Sequence, residues 1–385
     1  MAQRQDDVSM TERAFAEAPA EASTGAAVPA PAPVTYTMSA GFSAFLGANR
    51  IALAVSSYQS GKFYLLGQNV DGGLMVNERF FRKAMGICVP DKDTILLATL
   101  LQIIKFRNVL EAGQHINNVF DACYVPRAAF VTGEIDTHDV GLMADGRIVF
   151  VNTLYNCLAT TSERHSFTPI WRPPFISRIV KEDRCHLNGL AMQDGAPRYV
   201  TAVSKSDTID GWRDRRTDGG IVVDVQSGEV VIGGLSMPHS PRLYRGKLWV
   251  LNSGTGEVGW VEPATAARDA RFRPLAFCPG FVRGLAFHGE YAFVGLSEPR
   301  YQGFEGLALD RKLAKNRLRA VVPRAGDRPR HWRLCALVPH RRAGGGTLRS
   351  RRSAGRGAAH GPRLRHQRDP GSHHPRHPQA VGLAG

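Results

Sequence analysis

One phrase recurs five times between Met85 and Arg283. A polar or special residue leads, and a short apolar run follows. A tight Gly-containing turn comes next, then a second apolar run ending in small polar residues. The clearest copies are Asp139-Val-Gly-Leu-Met-Ala-Asp-Gly146 and Asn188-Gly-Leu-Ala-Met-Gln-Asp-Gly195. Successive leading residues, Met85, Asp139, Asn188, His239 and Arg283, lie 54, 49, 51 and 44 residues apart. That period is near the length of one four-stranded blade of a β-propeller.

The strand content agrees. Asp-Gly between two apolar runs is the strongest short hairpin signal, because both turn residues need φ > 0. Arg147-Ile-Val-Phe-Val-Asn152 and Lys247-Leu-Trp-Val-Leu-Asn252 are β-branched and aromatic runs of strand length. No segment with helical period competes here. The reading is all-β, a six-bladed propeller over residues 41–316. The Ile51 and Lys62 strands precede the first leading residue. They need an inner strand from the C-terminal end.

Composition splits the chain. Residues 317–385 hold sixteen Arg, two Asp and no Lys or Glu, for +14 of the formal +15. They also lack Ile, Phe and Tyr. The segment reads as a basic non-globular tail that supplies no strands, so the last blade and ring closure are expected to be lost. Arg, Gly, Pro and His rising together as Lys and Glu vanish is the signature of out-of-frame translation of a GC-rich gene. The alternative is a nucleic-acid-binding arm, and nucleic acid is a partner only if the tail is genuine. Residues 1–40 are Ala- and Pro-rich and read as a disordered leader without a secretory pattern. No apolar run is long enough to span a membrane. The six Cys lack CxxC spacing and read as reduced thiols of a cytoplasmic protein.

In a propeller the leading residues and the ends of the second strands converge on the central channel. The expected ligand site is therefore Asp139, Asn188, His239 and Arg283, backed by Asn152 and Asn252. Long loops at 160–178 and 204–220 add His165, Arg172 and Trp212. Two chemistries fit this ring. The first is binding of a small molecule or carbohydrate, with Arg283 and His239 suited to an anionic group. The alternative is a divalent-metal-dependent lactone or ester hydrolase. In that reading Asp139 and Asn188 hold Ca²⁺ or Mg²⁺ as hard oxygen ligands. No HExxH, GxSxG or GxxxxGK motif is present.

The Asn188-Gly-Leu-Ala motif followed by Asp-Gly resembles the blade signature of senescence marker protein, gluconolactonase and strictosidine-synthase-like propellers. That resemblance implies a divalent metal, but His239, Arg283 and Met85 depart from its ligand pattern. A fuller resemblance covers residues 45–310. Val55-Ser-Ser-Tyr-Gln-Ser-Gly-Lys62, Asn152-Thr-Leu-Tyr-Asn-Cys-Leu-Ala159, Ser162-Glu-Arg-His-Ser-Phe-Thr-Pro169, Trp171-Arg-Pro-Pro-Phe175 and Met237-Pro-His-Ser-Pro-Arg242 are similar to a bacterial family of conserved hypothetical proteins. That family has no known activity and so implies none.

Overall fold

The computed structural model describes residues 38–39, 41–297, 304 and 306–315, and the backbone of strands at 332–339 and 379–384. The leader expected at 1–40, apart from residues 38–39, and most of the tail lie outside the described residues. Helix α1 (Phe42–Asn49) precedes β1 (Ile51–Ser57), β2 (Lys62–Gln68) and β3 (Leu74–Phe80). Four sheets of consecutive strands follow. The first holds β4 (Ile87–Asp91), β5 (Thr94–Ala98), β6 (Gln102–Asn108) and β7 (Tyr124–Val131). The next holds β8 (Thr137–Leu142), β9 (Ile148–Asn152), β10 (Cys157–Thr160) and β11 (Thr168–Trp171). Then come β12 (Leu187–Gln193), β13 (Ala196–Ala202), β14 (Gly220–Asp224) and β15 (Val230–Leu235). The fourth holds β16 (Pro238–Tyr244), β17 (Lys247–Asn252), β18 (Glu257–Glu262) and β19 (Arg271–Phe277). Beyond them are β20 (Phe281–His288), β21 (Tyr291–Ser297), helix α2 (Ala308–Lys315), β22 (Trp332–Pro339) and β23 (Gln379–Ala384).

The fold is an all-β propeller. Among the described residues five sheets have four strands and one, β20-β21-β22, has three. Inner strands neighbour one another around the channel: β4 beside β8, then β12, β16, β20 and β23, which returns to β4.

The tail therefore differs from expectation at two places. β22 pairs with β21, and β23 pairs with β1. Short apolar runs, Trp332-Arg-Leu-Cys-Ala-Leu-Val-Pro339 and Gln379-Ala-Val-Gly-Leu-Ala384, lie within the Arg-rich sequence. A reading by composition averaged them away. The closing strand β23 runs parallel to β1, whereas the other inner strands pair antiparallel with their second strands.

The core lies between neighbouring blades. One cluster joins Val149, Val151 and Leu158 of one sheet to Leu190, Val200 and Val223 of the next. Another sets Trp249 and Leu251 against Val282 and Val294. Each fully buried large apolar side chain contributes roughly 1.5–3 kcal/mol relative to exposure. Hydroxyls stitch the same seams. Thr153 Oγ1 donates to Leu187 O at 2.6 Å, and Ser253 Oγ donates to Val282 O at 2.6 Å.

Candidate functional site

Four inner strands, β8, β12, β16 and β20, start the same way. Thr137 pairs with Asn152, Leu187 with Ala202, Pro238 with Asn252 and Phe281 with Ser297. After each start the register shifts, so the inner strand gains one residue on its partner. Such a bulge re-aims side chains and breaks the alternation of faces. It also resolves the repeat more finely. His138, Asn188 and His239 are equivalent, each following a paired residue. Asp139 and Arg283 stand one position further along. All five residues are buried or nearly so.

The bulges bring both positions to one cavity at the top of the channel. Met85, His138, Asp139, Asn188, His239, Ser240, Arg242, Arg283 and Gly284 line it. Its volume is about 10 Å³, room for about one water-sized group. Asp139, Asn188, His239 and Arg283 thus meet at one cavity, although Asp139 and Arg283 stand one position later in their strands than Asn188 and His239.

The other expected residues do not line this cavity. Asn152 is buried behind it, and its Oδ1 accepts from Tyr155 N at 3.2 Å. Asn252 Oδ1 accepts from Ser236 N at 2.7 Å. His165 and Arg172 are exposed. His165 precedes and Arg172 directly follows β11, the outermost strand of its blade, so both sit beside the outer edge of that sheet. Trp212 is buried elsewhere at the mouth, stacked on His186 at 4.2 Å between ring centroids.

Both oxygens of Asp139 are engaged. Oδ2 accepts from Arg242 at 2.8 Å and from Leu190 N at 3.0 Å. Oδ1 accepts from Arg242 at 3.2 Å and from Val140 N at 3.1 Å. Asn188 Oδ1 accepts from Thr201 Oγ1 at 2.7 Å. Its Nδ2 is buried with no hydrogen-bond partner among the described residues.

His239 Nδ1 lies 2.8 Å from Met237 O, which can only accept, so Nδ1 carries the proton. His138 Nδ1 lies 3.0 Å from Asp136 O, with the same consequence. Burial first, and then the Arg283 charge, hold His239 well below the usual imidazole range. Burial also pushes His138 down to about 3, with His186 and Arg283 adding to the effect while Asp136 opposes it. Both rings are neutral at pH 7, which leaves each Nε2 as an acceptor.

Sequence reasoning missed a second tier just above. Lys83, Asp136, His186 and Met237 have φ of 56°, 58°, 52° and 47°. The last three each precede the first paired residue of their inner strand. Left-handed backbone in non-glycine residues costs of order 1–3 kcal/mol each and concentrates at functional sites. Lys83 Nζ bridges Asp136 at 2.8 Å. His186 Nδ1 meets Asp183 Oδ2 at 2.6 Å, and the His186 and His138 rings stand edge to face at 5.0 Å. The one available signal was His138, which matches His239 once the bulge is placed. Asp183 precedes its strand and falls outside the repeated phrase. Among the described residues no group of three His, Cys, Asp or Glu is placed to hold a metal ion.

The chain belongs to a family described as a domain of unknown function, DUF4915, which matches residues 40–326. No curated protein matches the sequence. Among solved structures the chain is similar to a putative glucose dehydrogenase from Thermus thermophilus, at 11% identity and a TM-score of 0.40. That match covers 65% of this chain and 92% of the other. It is also similar to the PQQ-bound aldose sugar dehydrogenase of Streptomyces coelicolor, at 13% identity and 0.40, covering 66% and 89%. Virginiamycin B lyase from Staphylococcus aureus matches at 14% and 0.36, covering 62% and 71%. Likenesses this distant carry no argument about chemistry.

Proposed function

We propose that this protein binds a small hydroxylated molecule, of carbohydrate or polyol type, at the top of its channel. One observation carries the reading. The cavity holds a buried donor without a partner, Asn188 Nδ2, beside neutral histidines whose Nε2 atoms accept. A hydroxyl is both donor and acceptor, so it answers both needs at once. The cavity admits one such group, and the rest of the ligand lies at the mouth. A carboxylate could meet Arg283 and Asn188 Nδ2, but it only accepts and so leaves the two Nε2 lone pairs without a donor. A cation finds the Asp139 oxygens held by Arg242 and the Asn188 oxygen held by Thr201. The binding reading is therefore preferred to a Ca²⁺- or Mg²⁺-dependent hydrolase.

Calorimetry tests it with myo-inositol, glucose, acetate and calcium chloride. A polyol should bind, and Asn188→Leu should weaken it by roughly tenfold, the loss of one hydrogen bond. Calcium uptake abolished by Asp139→Ala, with no polyol binding, would replace this reading with the cation site.

Two wider readings belong with this one. The ring is six-bladed, with β23 as the inner strand of the first blade; the order of inner strands supports this. The chain works in the cytoplasm. In support, the five cysteines among the described residues are free, and burial raises the Cys157 thiol to about 12 and Cys88 to about 11, out of reach of easy oxidation. No helix among the described residues is long and apolar enough to cross a membrane.

A further inference from the structure

The mouth of the channel carries a group that ligand binding alone does not need. His186 Nδ1 is 2.6 Å from Asp183 Oδ2, and both side chains keep partial access to solvent, 13% and 14%. Trp212 stacks on the imidazole, with ring planes 28° apart. One nitrogen is thus fixed by a carboxylate, the ring plane is fixed by an indole, and Nε2 remains available. This is how a general base is oriented: nucleophile activation needs the base in turn held by a third group.

A purely structural role explains less. Asp183 Oδ1 and Trp212 Nε1 are both buried without hydrogen-bond partners among the described residues. A capping carboxylate and a core tryptophan ordinarily satisfy these atoms. The position is apt as well. His186 is two residues before Asn188, so their backbones lie at most about 7 Å apart. Its ring adjoins His138, which lines the cavity.

We propose that His186, positioned by Asp183, is a general base for metal-independent hydrolysis of an ester or lactone of a hydroxylated ligand. The proposal rests on the ligand site argued above. In the step, His186 Nε2 takes a proton from water while the water oxygen bonds to the acyl carbon. The carbonyl pair moves onto its oxygen, where Asn188 Nδ2 and Arg283 are the donors that meet the charge. The carbonyl re-forms, the acyl carbon–oxygen bond breaks, and the departing alkoxide takes the proton back from His186. An ester gives an acid and an alcohol and a lactone gives a single hydroxy acid, and no oxidant, reductant or cofactor is consumed. Asp183 is a positioning residue, since it acts only through the imidazole.

The experiment uses the full chain with δ-valerolactone and 4-nitrophenyl acetate, after exhaustive chelation with EDTA. Turnover should persist without metal. His186→Gly, chosen because glycine accepts the left-handed backbone, should lower kcat/KM by about 10²–10⁴-fold. Added imidazole should restore part of it, with a pH profile that follows the added base. Asp183→Asn should lower kcat and reshape the pH profile while leaving KM nearly unchanged. Myo-inositol binding is measured on the same variants. Binding intact with no turnover, or turnover indifferent to His186, would overturn the dyad alone. Loss of polyol binding in the wild type as well would overturn the site reading beneath it. Activity that vanishes with EDTA and returns with calcium would also overturn the proposal.

Discussion

Arg242 holds Asp139 through two hydrogen bonds, at 2.8 and 3.2 Å, across 103 residues of sequence and two blade boundaries. The pair determines what the cavity can be. It neutralises the carboxylate that would otherwise call for a cation, and it ties β16 to β8.

The first prediction follows from that pairing. Removing Arg242 leaves a buried carboxylate without its cation, a loss of about 3–5 kcal/mol. Arg242→Met should therefore destabilise strongly. The double change Asp139→Leu with Arg242→Met should cost clearly less than Arg242→Met alone. Urea midpoints of the single and double variants check this. Additive losses would show that the two groups do not depend on each other.

The second concerns acid. The folded pKa of His138 lies near 3, below its ordinary 6.5, because burial disfavours the charged ring. The unfolded chain therefore binds a proton more readily than the folded one. Stability should be full above pH 6.5 and fall as pH drops from 6.5 toward 3. His239, lowered by burial in the same sense, adds to the slope. His138→Gln should flatten the curve in that window. A stability plateau extending from pH 7 down to 4.5 in the wild type would contradict the assignment.

The third tests the seams. Thr153 Oγ1 donates to Leu187 O and accepts from His138 Nδ1. Thr153→Val keeps shape and removes both contacts, leaving a buried carbonyl short of a donor. The expected loss is about 1–3 kcal/mol. Ser253→Ala, which breaks the matching contacts to Val282 and His239, should cost a similar amount. Thermal melts of both variants decide whether the stitches are equivalent.

The architecture was legible because period is robust. Asp-Gly turns and strand-length runs survive small insertions, so the blade spacing could be counted directly. Met85, Asn188 and His239 were aligned correctly for the same reason. Asp139 and Arg283 were placed one residue out of phase, because a bulge adds a residue without altering composition. β12 carries a second register shift, at Ala191–Met192, that spacing cannot reveal. The site was legible as a place but not as a chemistry. Arg242 and Thr201 occupy the oxygens that the residue types of Asp139 and Asn188 offer to a cation, and no spacing in the sequence encodes those two contacts. The Asp183–His186 pair depends on a loop fold that no repeat encodes.

The last prediction concerns closure. β1 pairs with β23 from Ile51↔Gln379 to Ser56↔Ala384, and β23 also adjoins β4 and β20. It is the sole described element on that side of β1. A sheet edge left open there would expose unpaired backbone groups beside the buried Leu53 and Val55. Truncation before Gln379 should therefore lower the melting temperature and raise aggregation, with faster amide exchange at Ala52, Ala54 and Ser56 than in the full chain. Because the pairing is parallel, unlike the antiparallel inner pairs of the neighbouring blades, it should also be the first ladder to open. Hydrogen exchange that leaves the β1 amides as protected after truncation as before would show that β23 does not close the ring.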